Sequence, residues 1–585
     1  MFSMTHAMRN TRKIIFVSIC SILINAPAFS QIFTRVTDPT NPIVTDGSES
    51  GGGSWIDVNN DGWLDLLVSN GNLLERDEHL YLNLGGSGFV KVTTGAIVNN
   101  GGSSIGSTWA DMDEDGSLDC FVTNRNNFGN FLYLGIGDTL FTQVIAGEVV
   151  TDIANSNSSS WLDIDNDGDL DLYVVNFSQS DLLYLNSGSP SYELSPASPV
   201  SSTTDFSISG AWADMNNDLL PDLFICNSGT SSDDLYKNNG DLSFTHTVIE
   251  DGRATMGASW GDFNNDGYLD LYAASFLQHG NILYQNTGAP DFHLAPLLGT
   301  IPEVMGNCVG SVWGDVDNDG DLDLYVGDDG GNNHLFINSG PPSYTFTENF
   351  TDGSVLDGGQ TFGCSMADYD NDGQLDLFVA NRLDEENFLY HNNGNSNHWV
   401  TIKCVDEASN RSAIGTKVKV KANINGNMIT QTQEVLGQTG YNSQNLWLHF
   451  GLGDAAMIDT LLLIWPSGFV DTCTSVPADA QLLAQEGACV TLSTHEEVTR
   501  NGLQASLYPN PATSRFNLTF TQIGSGPISI VITDVTGRVV KRQTHTTDRL
   551  SGTVEISVAE LPTGHYNCTI SIDGHQKSLP FQRIQ

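Results

Sequence analysis

Apolar residues along this chain fall in short runs separated by turns rich in Gly, Asn and Asp. Runs such as Leu172-Tyr173-Val174 and Leu324-Tyr325-Val326 carry the aromatic and β-branched bias of buried strands. A second run follows each and ends in a turn, as in Leu183-Tyr184-Leu185-Asn186-Ser187-Gly188 and Leu389-Tyr390-His391-Asn392-Asn393-Gly394. There Asn and Gly are expected to supply the positive φ of a tight turn. A third run, of the kind Phe89-Val90-Lys91-Val92, leads to the next unit. The pattern predicts an all-β chain of many short strands.

These runs belong to an internal repeat anchored by an Asp at positions 57, 111, 163, 214, 262, 315 and 368, at intervals of 54, 52, 51, 48, 53 and 53 residues. A period of this size matches one four-stranded propeller blade. Two residues before each anchor stand Trp55, Trp109, Trp161, Trp212, Trp260, Trp313 and, in the seventh copy, Met366. Exposed tryptophans could stack on sugars, but a large residue at one fixed strand position in every copy is expected to pack between blades. The seventh copy lacks the last strand, and Ile32-Phe33-Thr34-Arg35-Val36 stands unpaired ahead of the first anchor. If that segment completes the last sheet, both ends of the domain close the ring and no edge stays open. The expectation is a seven-bladed β-propeller over residues 31–395.

Each anchor opens a nine-residue loop with Asp or Asn at its first, third, fifth and ninth positions. The first loop offers Asp57, Asn59, Asp61 and Asp65, the second Asp111, Asp113, Asp115 and Asp119, and the third Asp163, Asp165, Asp167 and Asp171. The fourth offers Asp214, Asn216, Asp218 and Asp222, and the fifth Asp262, Asn264, Asp266 and Asp270. The sixth offers Asp315, Asp317, Asp319 and Asp323, and the seventh Asp368, Asp370, Asp372 and Asp376. Alternating hard oxygen ligands, with Gly at the sixth position for the sharp turn, are what a loop needs to wrap calcium. The seventh position is Trp63, Ser117, Asp169, Leu220, Tyr268, Asp321 or Gln374, and this variety suits a ligand supplied by the backbone carbonyl. One such loop could be a solvated acidic turn; seven in register imply a divalent cation, because carboxylates about 4 Å apart repel by about 4 kcal/mol at an effective dielectric of 20. The fourth loop places Leu219 where Gly belongs, so six or seven calcium ions are expected.

These loops and their spacing resemble the FG-GAP/VCBS repeats of integrin-α-type propellers, which implies calcium at each loop and ligand recognition on a propeller face. The loops also account for the charge. Against 70 acidic residues the chain has 23 Lys and Arg, a net charge of -47, which disfavours nucleic-acid partners. With 10 Trp, 27 Phe and 16 Tyr it has the apolar area to fold.

Residues 396–489 follow a different β pattern, with Asn410-Arg411-Ser412-Ala413-Ile414-Gly415, Gly440-Tyr441-Asn442-Ser443-Gln444-Asn445, His449-Phe450-Gly451-Leu452-Gly453 and Trp465-Pro466-Ser467-Gly468. Lys417-Val418-Lys419-Val420-Lys421 reads as a half-exposed strand. The segment resembles the ASPIC/UnbV domain, which brings no known chemistry; its polar motifs are expected to serve turns and packing more than a site. After a linker at 490–505, residues 506–585 carry Tyr508-Pro509-Asn510-Pro511, Gly537-Arg538-Val539-Val540 and Leu561-Pro562-Thr563-Gly564-His565-Tyr566. They resemble the C-terminal sorting domain of type IX secretion substrates, an Ig-like β-sandwich of Bacteroidetes-type bacteria. That implies handling by the type IX machinery and release or surface attachment.

The N-terminus has Arg9, Arg12 and Lys13, an apolar run from Ile14 to Ile24, and Ala28-Phe29-Ser30. This is the form of an export signal spanning residues 1–30; the run falls well short of the ~20 apolar residues a membrane span needs. No transmembrane segment is expected. In an oxidising compartment Cys473 and Cys489 are close enough to pair, while Cys120 and Cys226 should pack as small hydrophobes.

The leading functional expectation is a secreted or surface module that binds a glycan or protein ligand. The alternative is a propeller enzyme acting on polysaccharide, such as a lyase, and a third reading is a structural matrix component. No HExxH pair, nucleophile signature or phosphate loop appears, although a propeller site assembled from several blades would leave no linear motif. A basic, aromatic central funnel would favour a lyase, and a flat exposed aromatic patch adhesion.

Overall fold

The computed structural model describes residues 31–492 apart from 72–74, 127, 138, 187–191, 196–197, 202–204, 230, 251, 290–291 and 407, and residues 504–583 apart from 509–512, 522–526, 535–537, 547–550 and 573–574. The expected export signal at 1–30 and most of the expected linker lie outside the described residues.

Each repeat builds one antiparallel sheet, its strands added outward in chain order. In the third repeat Ser156–Leu162, Asp171–Asn176, Leu182–Asn186 and Tyr192–Leu194 pair in that sequence. The two inner strands are buried along their whole length, the third is buried in part and the fourth is buried only at Tyr192. Both inner strands are covered on both faces by neighbouring sheets; the second strand therefore reads as a continuous apolar run, Leu172-Tyr173-Val174-Val175, while the innermost, Ser156-Asn157-Ser158-Ser159-Ser160-Trp161-Leu162, is built of small residues. Among the described residues seven such sheets lie between Phe33 and Asn392. Their inner strands, Ser50–Ile56, Ser104–Ala110, Ser156–Leu162, Ser207–Ala213, Ala254–Gly261, Cys308–Gly314 and Thr361–Ala367, touch in cyclic order, the last against the first. This is a β-propeller. Phe33–Arg35 pairs antiparallel with Phe388–Asn392, so the N-terminal strand supplies the outer strand of the last repeat's sheet.

The repeated tryptophans pack between sheets. Trp55, Trp109 and Trp161 are wholly buried, and the indole N–H groups of Trp161, Trp260 and Trp313 donate to Thr108, Ala211 and Ser259 carbonyls of the preceding inner strand. One expectation for the turns is corrected. Asn392 does not supply a positive φ; Gly394 does, at 70°. The Asn at this position has another task. Its Nδ2 donates across the gap to the preceding repeat around the ring: Asn83 to Tyr369 O at 2.7 Å, Asn238 to Ile164 O at 3.0 Å, Asn286 to Met215 O at 2.7 Å, Asn338 to Phe263 O at 2.9 Å and Asn392 to Val316 O at 2.8 Å.

From His398 the chain forms two four-stranded sheets, one containing His398–Val405 and Trp447–Gly453, the other Lys417–Ile424 and Met457–Ile464. A Cys473–Cys489 disulfide joins the two sheets, with Cα atoms 5.6 Å apart. The 417–421 strand alternates as expected at Val418 and Val420, which are buried, and at exposed Lys421, but Lys417 is only 2% exposed because the propeller covers it. The described parts of 504–583 form a three-stranded and a four-stranded antiparallel sheet around Leu518, Ile530, Ile532, Ile556, Cys568 and Ile570. Among the described residues no helix is long and apolar enough to cross a membrane.

Candidate metal centre and the two channel mouths

The acidic loops join each inner strand to the second strand, and all seven fold alike. The fourth position is left-handed throughout, with φ of 53° at Asn60, 59° at Glu114 and Asn166, 60° at Asn217, 56° at Asn265, 55° at Asn318 and 58° at Asn371. The sixth is left-handed too, which Gly adopts at little cost. Leu219 holds the same conformation at φ 68°, so the fourth loop keeps its shape and bears the strain instead of relaxing.

This curvature turns backbone N–H groups inward onto the carboxylates. The sixth residue donates to the first Asp in every loop, as Gly168 does to Asp163 at 3.0 Å and Leu219 to Asp214 at 2.8 Å. The seventh donates to the fifth: Trp63 to Asp61, Ser117 to Asp115, Asp169 to Asp167, Leu220 to Asp218, Tyr268 to Asp266, Asp321 to Asp319 and Gln374 to Asp372. The ninth Asp is held by the backbone N–H of the Asn that ends the third strand, as Asp65 is by Asn83 N at 2.7 Å and Asp376 by Asn392 N at 2.8 Å. One carboxylate oxygen from each of Asp111, Asp113 and Asp115 lies within 4.8 Å of the others, and the same holds for Asp163, Asp165 and Asp171 and for Asp315, Asp317 and Asp323.

At the third position the buried Oδ1 atoms of Asp113, Asp317 and Asp370 have no hydrogen-bond partner. Buried oxygens left unsatisfied are costly, and a hard cation would complete them. Burial pushes Asp119, Asp171 and Asp319 up to about 8, and neighbouring carboxylates add to this. The all-oxygen donor sets therefore fit a hard divalent cation such as calcium.

Sequence reading missed two features of these loops. The fourth-position Asn reaches the next loop's sixth carbonyl: Asn60 to Gly116 at 3.1 Å, Asn217 to Gly267 at 3.2 Å, Asn265 to Gly320 at 3.2 Å, Asn318 to Gly373 at 2.9 Å and Asn371 to Gly62 at 3.4 Å. The last bond joins the seventh loop to the first. Asn at this position in six of the seven loops was the available signal. The second feature is positive charge supplied by the protein itself. Lys403 stands 3.3 Å from Asp57 Oδ2, Arg411 3.2 Å from Asp111 Oδ2 and Lys417 3.0 Å from Asp214 Oδ2. In the seventh loop His391 Nδ1 lies 3.3 Å from Asp370 and 3.2 Å from Asp376, and hydrogen bonding to Asp376 raises the imidazole to about 9. A divalent ion is thus not the only counter-charge available to the loops, contrary to expectation.

Lys403, Arg411 and Lys417 come from the 396–489 domain, which covers this face. Trp399 packs over Gly373, where a Cβ would stand 1.9 Å from its Nε1, and His449 Nε2 bonds Asn318 Oδ1 at 2.8 Å. The polar motifs of that domain make the contact. Ser412 accepts from Asp111 N at 2.8 Å, Gln444 bonds the Trp109 backbone through both amide atoms, and Ser54–Trp55 pairs in parallel with Gln444–Asn445. Tyr441 is wholly buried in the channel among Ile105, Ile208, Met256, Val309 and Phe362 of the inner strands. At the other end of the channel a cavity of about 470 Å³ is lined by Arg125, Asn155, Asn157, Phe177, Phe276 and Leu277, among others. Arg125 donates to Tyr441 Oη at 3.2 Å and to Asn157 Oδ1 at 2.6 Å, so the plug forms part of the floor.

Comparison with known families agrees with this architecture. The FG-GAP-like repeat family matches residues 57–122, 111–174, 163–225, 214–273, 262–326 and 315–379, together more than half of the chain. The chain belongs to that family. Residues 406–491 match the ASPIC and UnbV family, and residues 506–580 match the secretion system C-terminal sorting domain. The protein is therefore secreted or placed at the outer-membrane surface through type IX secretion. Comparison with curated proteins gave no match. Among solved structures, Sqt1 of Saccharomyces cerevisiae is similar at 12% identity and a TM-score of 0.38, over 63% of this chain and 100% of that one.

Proposed function

We propose that the chain is a seven-bladed propeller with calcium in six or seven loops, exported by an N-terminal signal, and that it binds a glycan or protein ligand at the open mouth of its channel. The final domain, read here as an Ig-like sandwich, serves export. The observation that carries this reading is the inequality of the two faces. The loop face is covered and the channel plugged by Tyr441, whereas the opposite mouth is an open concavity. Its guanidinium, amide and aromatic groups suit a ligand that offers hydroxyl or carboxylate oxygens and a flat apolar face.

A basic, aromatic concavity also favours the alternative, a polysaccharide lyase. Such an enzyme needs a base within hydrogen-bond reach of the proton it removes. Among the described residues that line this cavity none carries an imidazole, carboxylate or amine, and the Asp329 carboxylate at the same channel end is tied to Arg382, which weighs towards binding. Calcium-loaded protein screened against acidic and neutral glycans and extracellular proteins should retain a ligand without consuming it. Phe276→Ala and Asn157→Ala should each weaken retention at least tenfold. Unsaturated sugar products would move the reading to a lyase, and binding indifferent to both variants would remove the mouth as the site.

A further inference from the structure

The sixth repeat puts a thiol and a carboxylate at the end of its inner strand remote from the calcium loop, where four of the other repeats carry a hydroxyl and an amide. In the first, second, third and seventh repeats the inner strand opens with a hydroxyl bonded to an Asn of the second strand: Ser50 to Asn70 at 3.0 Å, Ser104 to Asn124 at 3.0 Å, Ser156 to Asn176 at 2.8 Å and Thr361 to Asn381 at 3.1 Å. In the sixth the paired positions hold Cys308 and Asp328. A hydroxyl–amide pair has become a thiol–carboxylate pair, and both residues are buried, Cys308 wholly and Asp328 at 7% exposure.

A third donor joins them. His334 opens the third strand, where the second and seventh repeats have Phe131 and Phe388. Its Nε2 lies 3.9 Å from Asp328 Oδ2, and Cys308 Sγ, one Asp328 oxygen and one His334 nitrogen all lie within 4.8 Å of one another. The other ring nitrogen, Nδ1, is 2.7 Å from Glu348 Oε1 on the fourth strand. A carboxylate behind one nitrogen, with the second nitrogen aimed at a thiol and another carboxylate, is how metal-ligating histidines are oriented.

We propose that Cys308, Asp328 and His334 form a site for a zinc-class divalent cation, with Glu348 fixing the imidazole from behind. Sulfur and nitrogen donors select a borderline-soft ion over calcium. Bonds of about 2.0 to 2.3 Å at tetrahedral angles put ligand atoms about 3.3 to 3.8 Å apart, so the cluster closes onto the ion by small side-chain shifts. Three protein ligands leave a fourth position for water. The site is distinct from the sixth calcium loop, which begins at Asp315 beyond the other end of the same strand.

The test uses the full secreted chain with its free thiols reduced and calcium in excess, so that the loops are saturated. Cobalt(II) titration should give a thiolate-to-metal charge-transfer band that saturates at one equivalent and disappears when zinc is added. The double variant Cys308→Ser/Asp328→Asn restores the pair that other repeats use, and it should melt as the metal-free parent does and show no band. His334→Phe borrows the residue of the second and seventh repeats and should weaken cobalt binding at least a hundredfold. Absence of the band in the parent overturns the proposal and leaves Asp328, His334 and Glu348 as an ion triad. A band that survives in both variants also overturns it.

Discussion

At the level of single residues, the fourth loop concentrates the molecule's compromises. Leu219 keeps the left-handed backbone of its glycine counterparts at φ 68°, a conformation that costs an L-residue about 1 to 2 kcal/mol. Leu219→Gly should tighten calcium at this loop, and calorimetric titration of decalcified protein would show it; unchanged affinity would mean the strain is not borne there. Lys417 is the second compromise. Its ammonium is 2% exposed, 3.0 Å from Asp214 and 3.8 Å from Glu434, and burial raises Glu434 to about 8 while Lys417 opposes the rise. Lys417→Met would strand two buried carboxylates, and removing one partner of a buried pair typically costs about 3 to 5 kcal/mol. Chemical denaturation should register that loss, with part of it recovered by millimolar calcium. A loss below about 1 kcal/mol would show that the pair is solvated.

The loop as an element obeys a linkage whose sign follows from its carboxylates. Asp119, Asp171 and Asp319 are raised to about 8, chiefly by burial, from an unfolded value of 3.8. Without metal, their contribution is fully present below about pH 4 and is lost as pH rises towards 8. Chelated protein should therefore melt higher at pH 5 than at pH 8. Calcium needs the ionised carboxylates, so its stabilising effect should be larger at pH 8. Paired melting curves at both pH values, with calcium and with chelator, test this; curves indifferent to chelator would sink the structural role of the ion. The gathering of acidic side chains from the first, third, fifth and ninth positions was legible in the sequence because the residues of one loop are local. The Asn60, Asn265 and Asn371 bonds between loops were not, because each partner lies 55 or more positions away, at Gly116, Gly320 and Gly62. For the same reason Asn392 read as a turn residue although its amide reaches Val316.

For the whole molecule, repeat spacing gave the propeller, but nothing local in Gly440-Tyr441-Asn442 says that it enters a channel built from residues more than seventy positions away. Gly440 does so at φ 57° in a place where any Cβ would stand 2.1 Å from Ser311 O. The cap is held to the loop face in part by a neutral histidine. His449 is buried between Asn318 Oδ1 at 2.8 Å and Thr401 Oγ1 at 3.1 Å, and desolvation pushes its imidazole down to about 3 from 6.5. A depressed histidine contributes stability above its unfolded value, and that contribution is lost as pH falls towards the folded one. Between pH 6.5 and 4.5 this amounts to about 2 to 3 kcal/mol at 1.36 kcal/mol per unit. Acid should thus weaken the cap while it stabilises metal-free loops, and the two effects separate by region. Hydrogen exchange at pH 4.5 should rise in the strand His398–Val405, which carries Thr401 and Trp399, before it rises in the inner strands of the propeller. His449→Gln can keep a hydrogen bond to Asn318 but cannot take up a proton, so it should abolish the acid-induced exchange. Equal acid sensitivity in that variant would place the switch elsewhere in the interface.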